Sequence, residues 1–117
     1  MISKSLVTAT TRPIILSILA DGENYGYRII RRIRDLSEGK IRWTTGTLYP
    51  ALHALENEGL IAATWKAVAN APDRKYYRLT DKGRKALDAE KRQWLDVNAI
   101  FIKLWGPQIG PLSVVSG

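Results

Sequence analysis

With 117 residues, 45% of them hydrophobic, the chain is long enough for one compact domain and too short for two domains with full cores. The absence of cysteine excludes disulfide bridges, thiolate nucleophiles and cysteine-based metal sites, and the single histidine, His53, leaves no plausible zinc site. A formal charge of +7 favours a polyanionic partner such as nucleic acid, although a basic surface that only maintains solubility explains the charge almost equally well.

The first predicted helix begins at Pro13. Apolar residues fall at helical spacing from Ile14 to Leu19, and we expect the helix to end near Ala20. A proline in the first turn costs little, because the missing N–H has no partner there. An extension back through Leu6 stays open, since it would place Pro13 inside the helix and kink it.

A second amphipathic helix is predicted over Tyr25–Ser37, after the turn-forming segment Asp21–Gly26. The residues expected to face the core are Ile29, Ile30, Ile33 and Leu36. Those expected to face outward are Arg28, Arg31, Arg32 and Asp35. The helix therefore has a basic outer surface.

A third helix is predicted between a threonine cap, Thr44 or Thr45, and a terminating glycine, Gly59. Its core-facing stripe consists of Leu48, Leu52 and Leu55. Pro50 lies in the second turn and removes only about one backbone hydrogen bond, so we expect the helix to persist.

The pattern then changes to two short strands. Leu60–Lys66 and Arg74–Thr80 are rich in aromatic and β-branched residues, as strands are. The segment between them, Ala67–Asp73, is expected to form a loose hairpin tip. Thr80 can then cap a long final helix from Asp81 to about Leu104.

Three helices, a hairpin and a further helix predict a winged helix-turn-helix, a mainly α fold with a small β-hairpin (α+β). We assign residues 1–80 to a DNA-binding domain, 81–105 to a C-terminal dimerisation helix and 106–117 to an irregular tail. In such a fold the third helix enters the major groove of DNA and the hairpin, or wing, lies beside it.

The outer face of the third helix is predicted to read DNA. Thr45, Tyr49 and His53 share a stripe opposite the leucines, with Thr44 and Thr47 near the N-terminus. Their polar groups can bond to base edges or phosphates, and threonine methyls can touch thymine methyls. Ordinary surface positions for Tyr49 and His53 are the alternative. Cations outside the helix are expected to bind phosphate: Arg28, Arg31, Arg32, Lys40, Arg42, Lys66, Arg74 and Lys75.

Three motifs in order, YGYRII (Tyr25–Ile30), GTLYPALHALENEGLI (Gly46–Ile61) and RKYYRLTDKGRKAL (Arg74–Leu87), resemble the PadR-like transcriptional regulators. The resemblance runs from about Pro13 to Leu87. It implies a homodimer on a pseudo-palindromic operator, usually a repressor, with dimer contacts on a C-terminal helix. It also implies major-groove contacts by Thr44, Thr45, Thr47 and Tyr49, and a wing position for Arg74 and Lys75.

Two features depart from the family's pattern. Wings of the family often have a tip rich in Gly and Arg, but Ala67–Asp73 contains neither residue type, which argues against minor-groove contact by the tip. The chain after Leu87 is short and has room for one long helix only. The sequence therefore indicates a compact member.

An apolar stripe on the long helix predicts pairing with a second copy of the chain. The stripe consists of Leu87, Trp94, Val97, Ile100, Phe101 and Leu104. A lone helix that leaves a small domain has little core to cover such a stripe, although folding back on its own domain is the alternative. Trp94 is also a candidate wall of a site for a small aromatic effector, against the simpler interpretation that it packs as core.

No pattern indicates catalysis, a metal or a cofactor, because the sequence has no Gly-rich phosphate loop and no metal-binding set. No segment approaches the roughly 20 apolar residues that cross a bilayer, and Met1–Thr11 lacks the layout of a signal peptide. We therefore expect a cytoplasmic, sequence-specific regulator of double-stranded DNA that is not an enzyme and has no membrane partner. The alternative is a winged-helix interaction module that binds protein or RNA without a specific operator.

Overall fold

Four helices and three short strands make up the part of the chain that the computed structural model describes, residues 1–106. They follow the order α1 (Lys4–Ala20), β1 (Asn24–Tyr25), α2 (Gly26–Leu36), α3 (Thr45–Asn57), β2 (Ile61–Val68), β3 (Ala71–Leu79) and α4 (Asp81–Trp105). The predicted mainly α fold with a small hairpin is confirmed. Of the predicted tail, residues 107–117 lie outside the described part.

The chain divides into two compact units, Met1–Leu87 and a second unit that starts at Asp88. The first contains α1 to β3 and the start of α4. The second contains the rest of α4, up to Trp105.

Helix α1 begins nine residues before Pro13, at Lys4, so the extension back through Leu6 and Val7 that the sequence left open is present and Pro13 is interior, not in the first turn. Ser3 caps the helix by accepting the N–H of Leu6 at 3.3 Å. The C-terminal half of α1 buries four apolar residues, Ile15, Leu16, Ile18 and Leu19. This burial outweighs the single backbone bond that Pro13 cannot make.

The core of the first unit draws on every helix and on the two long strands. Its buried members are Ile15, Leu16, Ile18, Leu19, Ile29, Ile33, Ile41, Trp43, Leu48, Leu52, Leu55, Leu60, Ile61, Tyr77 and Leu87. Leu36, expected in the core stripe of the second helix, is exposed at the last residue of α2. Ile41 and Trp43, which have no helical periodicity, are buried in the connection to α3.

The three strands form an antiparallel sheet in the order β1-β3-β2. Strand β2 ends at Val68 and strand β3 begins at Ala71, so the turn between them is short. The expectation of a loose tip over Ala67–Asp73 is therefore wrong. Asn70 adopts a left-handed conformation with φ 58°, which asparagine tolerates better than most residues. Strand β1, which pairs with β3 at Tyr76 and Tyr77, was not predicted.

The start of α4 is fixed to the end of α3. Thr80 Oγ1 accepts the N–H of Gly83 at 3.0 Å and donates to the carbonyl of Gly59 at 2.7 Å. A Cβ atom on the buried Gly83 would lie 1.9 Å from the carbonyl oxygen of Leu60. Only glycine fits this contact without moving the backbone.

Candidate nucleic-acid interface

The N-terminus of α3 presents three exposed threonines. Thr44 caps the helix by accepting the N–H of Thr47 at 3.2 Å, and Thr45 and Thr47 occupy the first turn. Further along the helix, Leu48, Leu52 and Leu55 are buried as predicted. Thr45 precedes Leu52 by seven residues, so it lies on the leucine side of the helix and not opposite it as expected. The three threonines are exposed at the N-terminal end of the helix, ahead of the turns that pack on the core. We name Thr44, Thr45 and Thr47 the threonine end.

Tyr49 and His53 lie in different environments. Tyr49 is half-buried, and its phenol oxygen would lie 2.3 Å from a Cβ atom built on Gly26, so the missing side chain of Gly26 makes room for the tyrosine. Tyr49 lies only about 60° round the helix from Leu52, on the flank of the core face and not opposite it as expected. His53 is exposed.

Arg74 and Lys75 point to opposite faces of the wing, because successive strand residues alternate. The guanidinium carbon of Arg74 lies 4.1 Å from the ring centroid of Tyr25. The Nζ of Lys75 lies 3.7 Å from Glu56 Oε1 at the end of α3 and 5.3 Å from the ring centroid of the buried Tyr77. Lys75 therefore joins the wing to α3.

Arg28 projects from the first turn of α2 and is exposed. Its Nε–H donates to Asn24 Oδ1 at 2.6 Å, and its guanidinium carbon lies 5.1 Å from the Tyr25 ring centroid. The other predicted phosphate contacts, Arg31, Arg32, Lys40, Arg42 and Lys66, are exposed. Of these, Arg32 is near Asp21 (Nη2 to Oδ2, 3.7 Å) and Lys66 is paired with Glu23.

The sequence analysis did not predict a role for two tyrosines that lie beside these cations. Tyr25 and Tyr76 pack edge to face with their ring centroids 5.3 Å apart. The available signal was the alternation of aromatic and basic residues in the segments YGYR and RKYYR. It was missed because Tyr25 was interpreted only as the start of a helix.

Two shifted pKa values report on local structure. Burial raises the pKa of the Tyr77 phenol, which keeps the hydroxyl protonated. The hydrogen bond from Arg12 Nη1 to Glu58 Oε2, 2.6 Å long, lowers the pKa of that carboxyl, and the positive charges of Arg12 and Lys82 add to the effect. This ion pair links α1 to the end of α3.

The predicted dimer residues divide between the two units. Leu87 is buried in the core of the first unit, so that side chain is already covered within the chain. Trp94, Val97, Phe101 and Leu104 are exposed in the second unit. Phe101 stacks on Trp105 with ring centroids 4.5 Å apart. Trp94 has 40% of its surface exposed.

Across residues 1–106, no helix is both long and apolar enough to cross a lipid bilayer. The same residues contain no group of three or more His, Asp and Glu side chains placed to hold a metal ion.

Comparison with known proteins identifies relatives along most of the chain. The model of the transcriptional regulator PadR-like family matches residues 15–89. A transcriptional regulator of Mycobacterium tuberculosis is 38% identical over 84 residues, which cover 72% of this chain and 75% of that protein.

Solved structures agree with this match. A transcriptional regulator from Clostridium thermocellum has a TM-score of 0.80 and 30% identity, over 88% of this chain and 97% of that chain. A PadR-like transcriptional regulator from Bacillus cereus has a TM-score of 0.77 and 30% identity, over 92% of this chain and 100% of that chain. Together with the winged helix-turn-helix described above, these matches establish that the chain belongs to the PadR-like family of transcriptional regulators.

Proposed function

We propose that this protein represses transcription as a homodimer that binds a specific, pseudo-palindromic DNA operator. The observation that carries the proposal is the threonine end of α3, which is exposed at the N-terminus of the helix while Leu48, Leu52 and Leu55 in the following turns are buried. An α-helix fits the major groove, and residues near its N-terminus are those that reach base edges.

The threonine end suits sequence reading by its chemistry. Each hydroxyl can donate to and accept from base edges, and each methyl can pack on the methyl of thymine. No lysine or arginine lies between Thr44 and Gly59, so the phosphate contacts made by lysine or arginine come from outside α3. We assign them to Arg28 and Arg74. Lys75 joins them only if phosphate replaces its carboxylate partner, Glu56.

Tyr49 and His53 have smaller roles in this proposal than in the sequence prediction. The half-buried ring of Tyr49 fixes α3 against Gly26 of α2, so it acts on DNA mainly through the position of the helix. His53 is exposed one turn further along, at a position from which it can contact a phosphate.

The dimer is supported by exposed apolar side chains in the second unit. Trp94, Val97, Phe101 and Leu104 together leave apolar surface open to water, which a soluble chain seldom does without a partner. A two-fold dimer also suits a two-fold operator, because each copy then places one α3 in one half-site. A protein that binds DNA must be located where DNA is present. We therefore propose a cytoplasmic location.

An effector site near Trp94 is the last part of the proposal. The partly exposed indole can stack on a flat aromatic molecule held between the two helices of a dimer. Replacement of Trp94 by Phe should then weaken binding of such a molecule and remove the fluorescence quenching it causes. A molecule that releases DNA equally well from this variant would contradict the site.

Selection from genomic fragments followed by footprinting tests the proposal. We expect a preferred palindrome with two protected half-sites about one helical turn apart, and less transcript in vitro when the site overlaps a promoter. Uniformly weak, salt-dominated binding would contradict sequence-specific regulation and favour the interaction module. More transcript from the bound promoter would contradict repression while leaving operator binding intact.

A further inference from the structure

The ring of Tyr25 holds two arginines from distant parts of the chain. The guanidinium carbon of Arg28 in α2 lies 5.1 Å from the ring centroid, and that of Arg74 in β3 lies 4.1 Å from it. Tyr76 pairs with Tyr25 in the sheet and packs against it edge to face at 5.3 Å. The ring is therefore fixed by the sheet and connects α2 to the wing through both cations.

The two arginines carry positive charge that no ion pair in residues 1–106 neutralises. Arg28 donates to the uncharged amide oxygen of Asn24. Lys66 on the neighbouring strand differs, because Glu23 pairs with it. Because both guanidinium carbons lie within about 5 Å of one ring centroid, the two positive charges are close together and attract a polyanion more strongly than either charge alone.

We propose that Tyr25 is a positioning residue that presents Arg28 and Arg74 as one clamp for the phosphate backbone of duplex DNA. This inference rests on the proposed function, which supplies the polyanion. A guanidinium that stacks on a ring keeps its N–H edge available for a phosphate oxygen. Because the ring orders both long side chains before binding, less conformational entropy is lost when the phosphates are contacted.

The clamp can be tested with Tyr25→Leu on random-sequence duplex DNA. We expect the affinity for this DNA to fall about five- to thirtyfold. Without the ring, both arginine side chains are free before binding, and the entropy lost when DNA immobilises them weakens the complex. The slope of log affinity against log salt should stay constant, because both cations still reach phosphate. Arg74→Ala should instead reduce that slope by about 0.9, the value for one lost phosphate contact.

Two further variants isolate the role of the ring. Tyr25→Phe keeps the aromatic face and should bind within about twofold of the original protein. Tyr27→Leu removes an exposed tyrosine of α2 on which no cation is stacked in the described residues, and should also have little effect. A loss in Tyr25→Phe as large as that in Tyr25→Leu would overturn the proposal, because the hydroxyl would then be the active group.

A mutant cycle decides whether Tyr25 acts through the arginines. In a protein with both Arg28→Ala and Arg74→Ala, the addition of Tyr25→Leu should change affinity less than twofold. An undiminished loss in that background would overturn the clamp.

If Tyr25→Leu does not fold, as judged by circular dichroism, the cycle between Arg28→Ala and Arg74→Ala replaces it. A shared clamp predicts coupled losses, and additive losses overturn it.

The clamp and the proposed regulation can be contradicted by different results. The clamp is measured on random duplex DNA, whereas regulation needs a preferred site. A protein that binds random DNA with the expected cycle but prefers no site supports the clamp and contradicts the operator. A protein that binds no duplex DNA contradicts both.

Discussion

The two compact units differ in how many of their large apolar side chains they bury. Met1–Leu87 buries most of them in one core shared by helices and strands. In the second unit, the helix between Trp94 and Trp105 leaves large apolar residues exposed: Trp94, Leu95, Val97, Ile100, Phe101, Ile102, Leu104 and Trp105. A single helix has no second layer against which to bury such residues. The first unit therefore has a core of its own, whereas these side chains of the second unit stay exposed.

Helix α4 contains both buried and exposed large apolar side chains. Leu87 and Trp94 are seven residues apart in the sequence, the spacing of one helical stripe, yet Leu87 in the first unit is 2% exposed and Trp94 in the second unit is 40% exposed. Sequence periodicity assigned both to a dimer contact. The comparison shows that one apolar stripe can belong to a domain core at one end and to an open surface at the other.

The largest effect is expected from a substitution in the core of the first unit. Gly83→Ala places a methyl group against the carbonyl of Leu60, and we expect the free energy of unfolding to fall by about 3 kcal/mol or more. Urea denaturation followed by circular dichroism measures the loss. Gly46→Ala is the matched control, because its methyl group would meet only Thr44 Oγ1 at 3.6 Å, and it should not destabilise the protein. An unchanged midpoint for Gly83→Ala would disprove the contact.

The second unit can be tested by placing a charge on its exposed stripe. Phe101→Glu would bury a carboxylate in the proposed dimer, and we expect the dimer dissociation constant to rise at least about a hundredfold. Sedimentation equilibrium measures this constant. Lys103→Glu adds the same carboxylate about 200° round the helix and should leave the dimer intact. A Phe101→Glu protein that dimerises normally would show that the exposed stripe is not the interface.

A smaller effect is expected for DNA binding, which we assign to the first unit. Thr45→Val keeps the shape of the side chain and removes its hydroxyl. We expect operator affinity to fall about five- to hundredfold, with random duplex affinity unchanged. Fluorescence anisotropy on both DNAs measures the ratio, and Thr8→Val in α1 serves as the control. Equal losses on both DNAs would reassign Thr45 to phosphate binding.

The smallest expected effect concerns the ion pair between α1 and α3. Because Arg12 lowers the pKa of Glu58 in the folded protein, the pair stabilises the fold at neutral pH, and this contribution is lost as the pH falls through the lowered pKa. Glu58→Gln should therefore be slightly less stable than the original protein at pH 7, and the difference should shrink below about pH 4. Thermal unfolding at several pH values measures it. A difference independent of pH would contradict the assignment.

Local sequence signals predicted the elements well. The leucine stripe of α3, its threonine cap and the left-handed Gly59 at its end were each predicted, because spacing and capping depend on residues within a few positions of each other. Strand β1 was missed, since two residues carry no periodicity and their partner strand lies about 50 residues away. Leu36 was misassigned because helical spacing does not tell where the neighbouring layer ends.

Local patterns in the sequence were enough to predict the order of the helices and the hairpin, the basic charge and the polar first turn of the third helix. Which of these groups come into contact depends on the tertiary fold. It brings Arg28 and Arg74 to the ring of Tyr25, turns Lys75 to Glu56 on the other face of the wing, and covers Leu87 but not Trp94. Such contacts join residues that are distant in the chain, and they depend on sheet pairing and core packing, which no local pattern encodes.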